Sequence, residues 1–269
     1  MILREGETEM HYSMDEVLET AVEAGHILLE SGAEIFRVEE TMQRISRYFG
    51  VDGEHEEFFV LANGLFATGT TERGHFAKVR QSRVQGARLS KVVAINQLSR
   101  EIERGKYTLP QVRQELERIK TIPEPPRWLQ ILASGLGSAA FCCMFGGGLT
   151  DCAASFLAGL ILYVFVLYVS APHMSKISGN LLGGALVTVF CIVFYRIGFG
   201  EDLSHMIIGS IIPLVPGLAF TNGIRDIADG DYISGAVRLL DAIIVFVSIA
   251  VGVGIVFTVY RHIWGGAAL

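Results

Sequence analysis

Residues 152–175, CAASFLAGLILYVFVLYVSAPHMS, run for 24 positions without a Lys, Arg, Asp or Glu. A helix rises 1.5 Å per residue, so about 20 such residues cross roughly 30 Å of hydrocarbon. The flanking charges are Asp151 and Lys176, and beyond them the pattern repeats in Trp128–Thr150, Ile177–Tyr195, Leu203–Ile224 and Ala242–Tyr260. One such run could be a buried helix of a soluble protein, but five in succession leave no polar surface for water. Residues 127–269 are therefore read as a domain of five transmembrane helices in a lipid bilayer. Trp128 and Trp264 bracket it where indole rings favour the headgroup level.

The chain before this domain is different. Residues 1–127 hold 17 of the 22 Lys+Arg and 21 of the 28 Asp+Glu, leaving 12 charges for the last 142 residues. A purely soluble enzyme is excluded by that division. A net charge of −6 supplies no positive field for a phosphate backbone, so no nucleic-acid partner is expected. The first thirteen residues are acidic and polar, without the basic and apolar regions of a signal peptide. The N-terminal domain is expected in the cytoplasm, and five spans then place the C-terminus outside the cell membrane. Lys176, Arg225 and Arg238 inside against Arg196 and Arg261 outside agree by a single charge, so the polar domain carries the topology.

Residues 1–126 read as an α/β domain. Apolar positions Val17, Leu18, Ala21, Gly25 and Leu28 have helical spacing behind Ser13 as N-cap, with Gly32 as the stop. A second amphipathic helix continues through Ile35, Val38, Met42, Ile45 and Phe49 to Gly50. A small sheet follows from about Phe58 to Val84, interrupted at Asn63-Gly64 and at the Gly69–Gly74 turn region. Helices fit Leu89–Gly105 and Pro110–Ile119, the latter behind Thr108, and Pro123, Pro125 and Pro126 form a stiff linker.

The chemistry-bearing residues are unevenly informative. His26 and Glu30 share a helix face but lack a third ligand, and Glu54-His55-Glu56-Glu57 reads as a charged loop, so no metal is assigned. Cys142, Cys143, Cys152 and Cys191 read as small packing residues, and no cofactor motif or nucleotide-binding loop is present. Gly135, Gly137, Gly146–Gly148, Gly179, Gly183 and Gly184 suit close helix packing, and Asp151 suits a helix cap. The run Pro213-Leu-Val-Pro216-Gly217 must break the fourth helix, and broken backbone at membrane depth is tolerated only against protein or a wet cavity. Pro213, Pro216 and Gly217 are accordingly expected to line a polar crevice on a substrate path. Downstream, Asn222, Arg225 and Asp226 extend that path, with Arg225–Asp226 as an ordinary interfacial pair the alternative. Asp241 lies where the last helix has turned apolar, and Arg238, three residues earlier, is its local ion-pair partner. Asp226 and Asp241 are the two candidates for proton coupling, Asp241 being expected to bear the larger desolvation cost.

Pro213–Gly217, then Thr221-Asn222-Gly223-Ile224-Arg225-Asp226, Gly230-Asp231, Gly235 and Arg238, resemble the hallmark of the threonine/serine exporter family. Glu30-Ser31-Gly32-Ala33-Glu34, Arg37-Val38-Glu39-Glu40 and the Arg88-Leu89 to Asn96-Gln97-Leu98 helix resemble the same family's cytosolic segment. The resemblance runs from about Val17 to Tyr260. It implies export of small polar metabolites driven by the proton gradient: threonine and serine in some members, dicarboxylates such as succinate in split relatives. Fused members append a second membrane module, so this chain resembles the larger subunit of the split form. That resemblance implies a small, separately encoded membrane subunit as partner, and an oligomer.

Three functions follow from these residues. The first is a secondary exporter with substrate near the broken helix. The second is a non-transporting sensor or assembly subunit whose N-terminal domain gates a partner. The third is an intramembrane hydrolase, which would need two aspartates around one water.

Overall fold

The computed structural model describes residues 12–51, 56–71, 74–82 and 87–264. It is mostly helical, with one three-stranded sheet. Two compact units result. The first gathers the described residues up to Pro123 together with Leu218–Leu239, and the second Glu124–Gly217 with the described residues from Leu240 onward. Residues 218–239 thus pack with the polar N-terminal part of the chain.

In the first unit, α1 (Met14–Glu30) starts on Ser13, whose hydroxyl accepts from the Glu16 N–H while Glu16 reaches back to the Ser13 N–H. It stops at Gly32, where φ is +79° and the Ala33 N–H bonds the Leu28 carbonyl at 3.1 Å. Then α2 (Ile35–Tyr48) folds back so closely that a Cβ on Gly25 would overlap Met42. Strands β1 (Glu56–Leu61), β2 (Gly64–Thr71) and β3 (Gly74–Gln81) form an antiparallel meander in sequence order. β2 runs through Gly69, which pairs with Phe76, and Thr70 pairs with His75, so both strands extend into the expected Gly69–Gly74 turn region. Val60, Leu65 and Ala67 face inward with Leu28, Ile35 and Met42, and each large side chain buried there contributes about 1.5–3 kcal/mol. Helices α3 (Leu89–Glu103) and α4 (Leu109–Lys120) complete this core through Ile95, Ile102, Val112 and Leu116. Residues up to His11, Glu54, His55 and the Val84 end of the expected sheet lie outside the described residues.

The second unit contains α5 (Arg127–Met144), α6 (Leu149–Phe165), a π-turn over Val166–Ser170 leading into α7 (Ala171–His173), α8 (Lys176–Arg196) and α9 (Leu203–Ile211). After a 3-10 turn over Ile212–Leu214, α10 (Gly217–Ala228) begins, and α11 (Tyr232–Trp264) ends the described chain. Among the described residues three helices are long and apolar enough to cross a membrane: Leu149–His173, Lys176–Arg196 and Tyr232–Ile263. A fourth is added if Leu203–Leu214 and Gly217–Ala228 count as one broken span. The first expected span does not coincide with its charge-free run. Gly146, at φ +103°, ends the preceding helix, and Leu149 and Thr150 already belong to α6. The three glycines 146–148 therefore form a connection instead of a packing stripe, and α5 is an 18-residue helix with Arg127 and Gln130 in its first turns.

Small residues do bring the other helices together. Ser134 donates to the Gly159 carbonyl at 3.0 Å between α5 and α6, and Gly184 and Gly252 seat α8 against the backbone of α11. All four cysteines are free, with Cys142 and Cys191 fully buried. Asp151 caps α6 as expected, accepting from the Gly148 N–H at 2.9 Å. It also accepts from Glu201 and Asp202 N–H at 2.6 and 3.0 Å, which ties two connections together.

Candidate functional site

The start of α2 creates a local problem. Its N-cap is Glu34, whose side chain makes no capping bond, so the first N–H groups need acceptors from elsewhere. Asp226 on α10 supplies one: its Oδ1 accepts from the Ile35 N–H at 3.2 Å. A carboxylate at a helix N-terminus is also favoured by the aligned peptide dipoles. The other oxygen, Oδ2, lies 3.0 Å from Arg238 Nη1, and Arg238 Nη2 donates to the Ala33 carbonyl at 2.8 Å. One turn before Asp226, Asn222 donates to the Gly32 carbonyl at 2.9 Å. Arg225 pairs with Glu34 at 2.8 Å, and Arg37 approaches the same carboxylate at 3.8 Å.

The spacing of the downstream residues now has a physical reason. Asn222 and Asp226 are four apart and share a helix face. Gly230, at φ +99°, closes α10, letting the Asp231 N–H return to the Asp226 carbonyl at 2.8 Å. The next helix then crosses back over α10, and a Cβ on Gly235 would lie 2.7 Å from the Gly223 carbonyl oxygen. That close crossing aims Arg238 at Asp226. The result is a buried ion pair, with Asp226 1% and Arg238 6% exposed, clamped on the turn between α1 and α2.

Asn222, Arg225, Asp226 and Arg238 thus come together, but Asp241 does not join them. Its partner is Lys176 at the start of α8, and its side chain is 39% exposed. The expected local pair of Arg238 with Asp241 is replaced by two long-range pairs, and the larger burial falls on Asp226. Arg225 and Asp226 likewise find separate partners. Pro213 sits in the 3-10 turn, Val215 is extended at ψ 124° as a residue before proline must be, and Gly217 opens the helix that carries Asn222 and Asp226. The helix break is therefore present. The cleft beside it holds about 440 Å³ and is apolar, lined by residues such as Ile207, Ile211, Val215, Phe246 and Phe257, with Ser204 its hydroxyl. The expected polar crevice is not found on that side. His26 lies 3.2 Å from the Gln81 carbonyl, and no cluster of three metal-ligating side chains occurs among the described residues.

Gly32, Ala33 and Glu34 meet α10 and α11 from a distant part of the chain, a link that local sequence spacing does not carry. The available signal was that α2 begins without a Ser, Thr, Asp or Asn cap.

Two further carboxyls border the clasp. Glu39 accepts from the Val60 N–H at 3.2 Å, and burial holds its pKa above the usual glutamate value, with the charge of Asp231 adding to the effect. Asp231 is raised by burial and by Asp229, against the pull of Arg238. A carboxyl raised on folding stabilises the folded state fully below its ordinary pKa, and that contribution is lost as pH rises through the folded value. Glu39→Gln should therefore gain stability relative to the parent as pH rises from 4 to 7. Thermal midpoints across that range test this, and parallel curves for the two proteins would refute it.

The family described as "Putative threonine/serine exporter" matches residues 19–260. The chain is 24% identical to "Probable succinate transporter subunit YjjP" of Escherichia coli strain K12, over 93% of this chain and 95% of the relative. The Klebsiella aerogenes protein of the same name is 23% identical, over 91% and 94%. "Probable threonine/serine exporter" of Mycobacterium tuberculosis is 23% identical over 88% of this chain but only 45% of the longer relative. No solved structure matches the chain.

Proposed function

The chain belongs to the threonine/serine exporter family and is a membrane protein, and from that premise we propose a secondary exporter of small polar metabolites driven by the proton gradient. Its substrate is a threonine/serine-type amino acid or a dicarboxylate such as succinate. In this reading α5 is the fifth span, the N-terminal domain is cytoplasmic, and the C-terminus lies outside the cell membrane. The half-length match to the mycobacterial relative and the subunit names of the other two support a split transporter with a small membrane partner. It performs no catalysis and needs no cofactor.

The observation that carries this reading is the buried Asp226–Arg238 pair. One carboxylate and one guanidinium complement a zwitterion, whose own carboxylate takes Arg238 and whose ammonium takes Asp226. A proton on Asp226 removes the ammonium's partner, so proton and amino acid compete for one site, as exchange of the two across a membrane requires. A dicarboxylate fits the same pair only when Asp226 is protonated. Pro213, Pro216 and Gly217 supply the flexible joint at the start of α10, and Arg225 and Asn222 hold its approach. Asp241, paired with Lys176, is the second coupling candidate.

The test is accumulation of labelled threonine and succinate in inverted membrane vesicles, with and without the partner. Asp226→Asn should abolish gradient-driven accumulation per folded molecule, whereas Asp241→Asn should reduce it less. Full gradient-driven activity in Asp226→Asn would remove that residue from the mechanism. The second reading, a subunit that gates a partner, is favoured by the clasp's polar contacts with the chain's own α1–α2 turn. It predicts no flux dependence on Asp226 once protein amount is equalised.

A further inference from the structure

At one end of the second unit, the connection 146–148 between α5 and α6 meets the connection 197–202 between α8 and α9. Asp151 joins them through its three backbone bonds, leaving neither of its oxygens unbonded. On this frame α9 begins. Asp202 caps it, its Oδ1 accepting from the Ser204 and His205 N–H groups at 2.9 and 3.1 Å. The second oxygen of Asp202 faces His205 Nδ1 at 3.0 Å. The imidazole lies across the glycine connection: Nε2 would be 3.7 Å from a Cβ on Gly146, and the His205 Cβ 3.3 Å from one on Gly147. The charged and titratable groups facing it are Asp202 on its own first turn, Asp151 on α6, and Cys142 on α5 behind Gly147, while Glu201 is exposed.

We propose that the His205–Asp202 pair is the group through which the outer solution delivers protons to this transporter, with Asp151 as the positioning residue that fixes it. This rests on the reading of the protein as a proton-driven exporter with a cytoplasmic N-terminal domain. In that topology α5 and α8 end outside and α6 and α9 begin there, so His205 faces the medium from which protons enter. Imidazole is the side chain that changes charge between pH 5 and 8. A protonated ring at the first turn of a helix opposes the dipole and turns the contact with Asp202 into a full ion pair. The balance at the start of α9 therefore shifts with outside pH. Nine residues of continuous helix, Leu203–Ile211, run from this pair to the turn that contains Pro213. The pair at the start of α9 is thus joined by unbroken helix to the turn that leads into the break.

Two measurements on membrane vesicles from the source cells, which retain any partner, test the proposal. First, exchange of labelled threonine is followed as pH on the side facing His205 falls from 8 to 6. Wild type should accelerate roughly tenfold, and His205→Gln less than about twofold at equal protein level. Second, carbethoxylation of His205 by diethyl pyrocarbonate is followed by mass spectrometry in sealed right-side-out vesicles of the unaltered protein. Its rate should follow the pH of the medium and ignore that of the lumen. If wild type transports and His205→Gln keeps the same pH dependence, the histidine site is overturned and the transport reading stands. If modification follows the lumen pH, the outward placement is overturned whatever the variant does. If wild type moves no threonine or succinate in any gradient, the transport reading fails, and the coupling role of His205 falls with it.

Discussion

Arg238→Met is expected to destabilise the protein by about 3–5 kcal/mol, because it leaves the buried Asp226 carboxyl without its partner in the interior. Asp226 is 1% exposed, so water cannot replace the guanidinium. The same variant strips the Ala33 carbonyl of its donor. A second change that removes the carboxyl, Asp226→Leu in the Arg238→Met background, should recover part of the loss, since a buried pair can often be exchanged for apolar packing at little net cost. Recovery will be incomplete, because the Ile35 N–H loses its acceptor in the double variant. Unfolding midpoints of the two single variants and the double variant give the coupling directly. A loss below about 1 kcal/mol in Arg238→Met would mean that the pair is solvated and is not the centre of the clasp.

The second large effect lies in the apolar unit. A Cβ on Gly252 would fall onto the Leu181 carbonyl oxygen of α8, with the Ala185 nitrogen 3.0 Å away. Backbone cannot rotate out of the way as a side chain can, so Gly252→Ala should cost about 3 kcal/mol, the upper end for overpacking. Gly254, two positions on in the same helix, has nothing within 4 Å of its would-be Cβ. There alanine should be neutral or stabilise by up to about 1 kcal/mol through helix propensity. Protease resistance in detergent compares the two, and equal behaviour would show that α8 and α11 do not pack through glycine.

The sequence made some of this legible and hid the rest for identifiable reasons. The stop at Gly32 and the break at Pro213–Gly217 could be read because glycine and proline act on their own backbone. The span count was harder, since counting charges finds apolar runs but cannot see that Gly146 ends a helix inside one of them. The partner of Arg238 was hidden by distance along the chain. The local rule joins residues three or four apart, and Arg238 and Asp241 satisfy it, yet each turns to a different element: Arg238 to α10 and Asp241 to α8. Such choices depend on which helices cross, and the crossing here depends on Gly223 and Gly235 together.

The bond from Ile35 to Asp226 also sets an order of events in biosynthesis. The acceptor for an N–H near the start of the chain is made 191 residues later. A ribosome adding about 5–20 residues per second needs on the order of ten seconds between completing α4 and delivering Arg238. During that interval the N-terminal core stands with one helix end unfinished, while the intervening chain is being fitted into the bilayer. Completion of the first unit is therefore a late checkpoint. Until Asp226 is made, the first N–H of α2 lacks this acceptor.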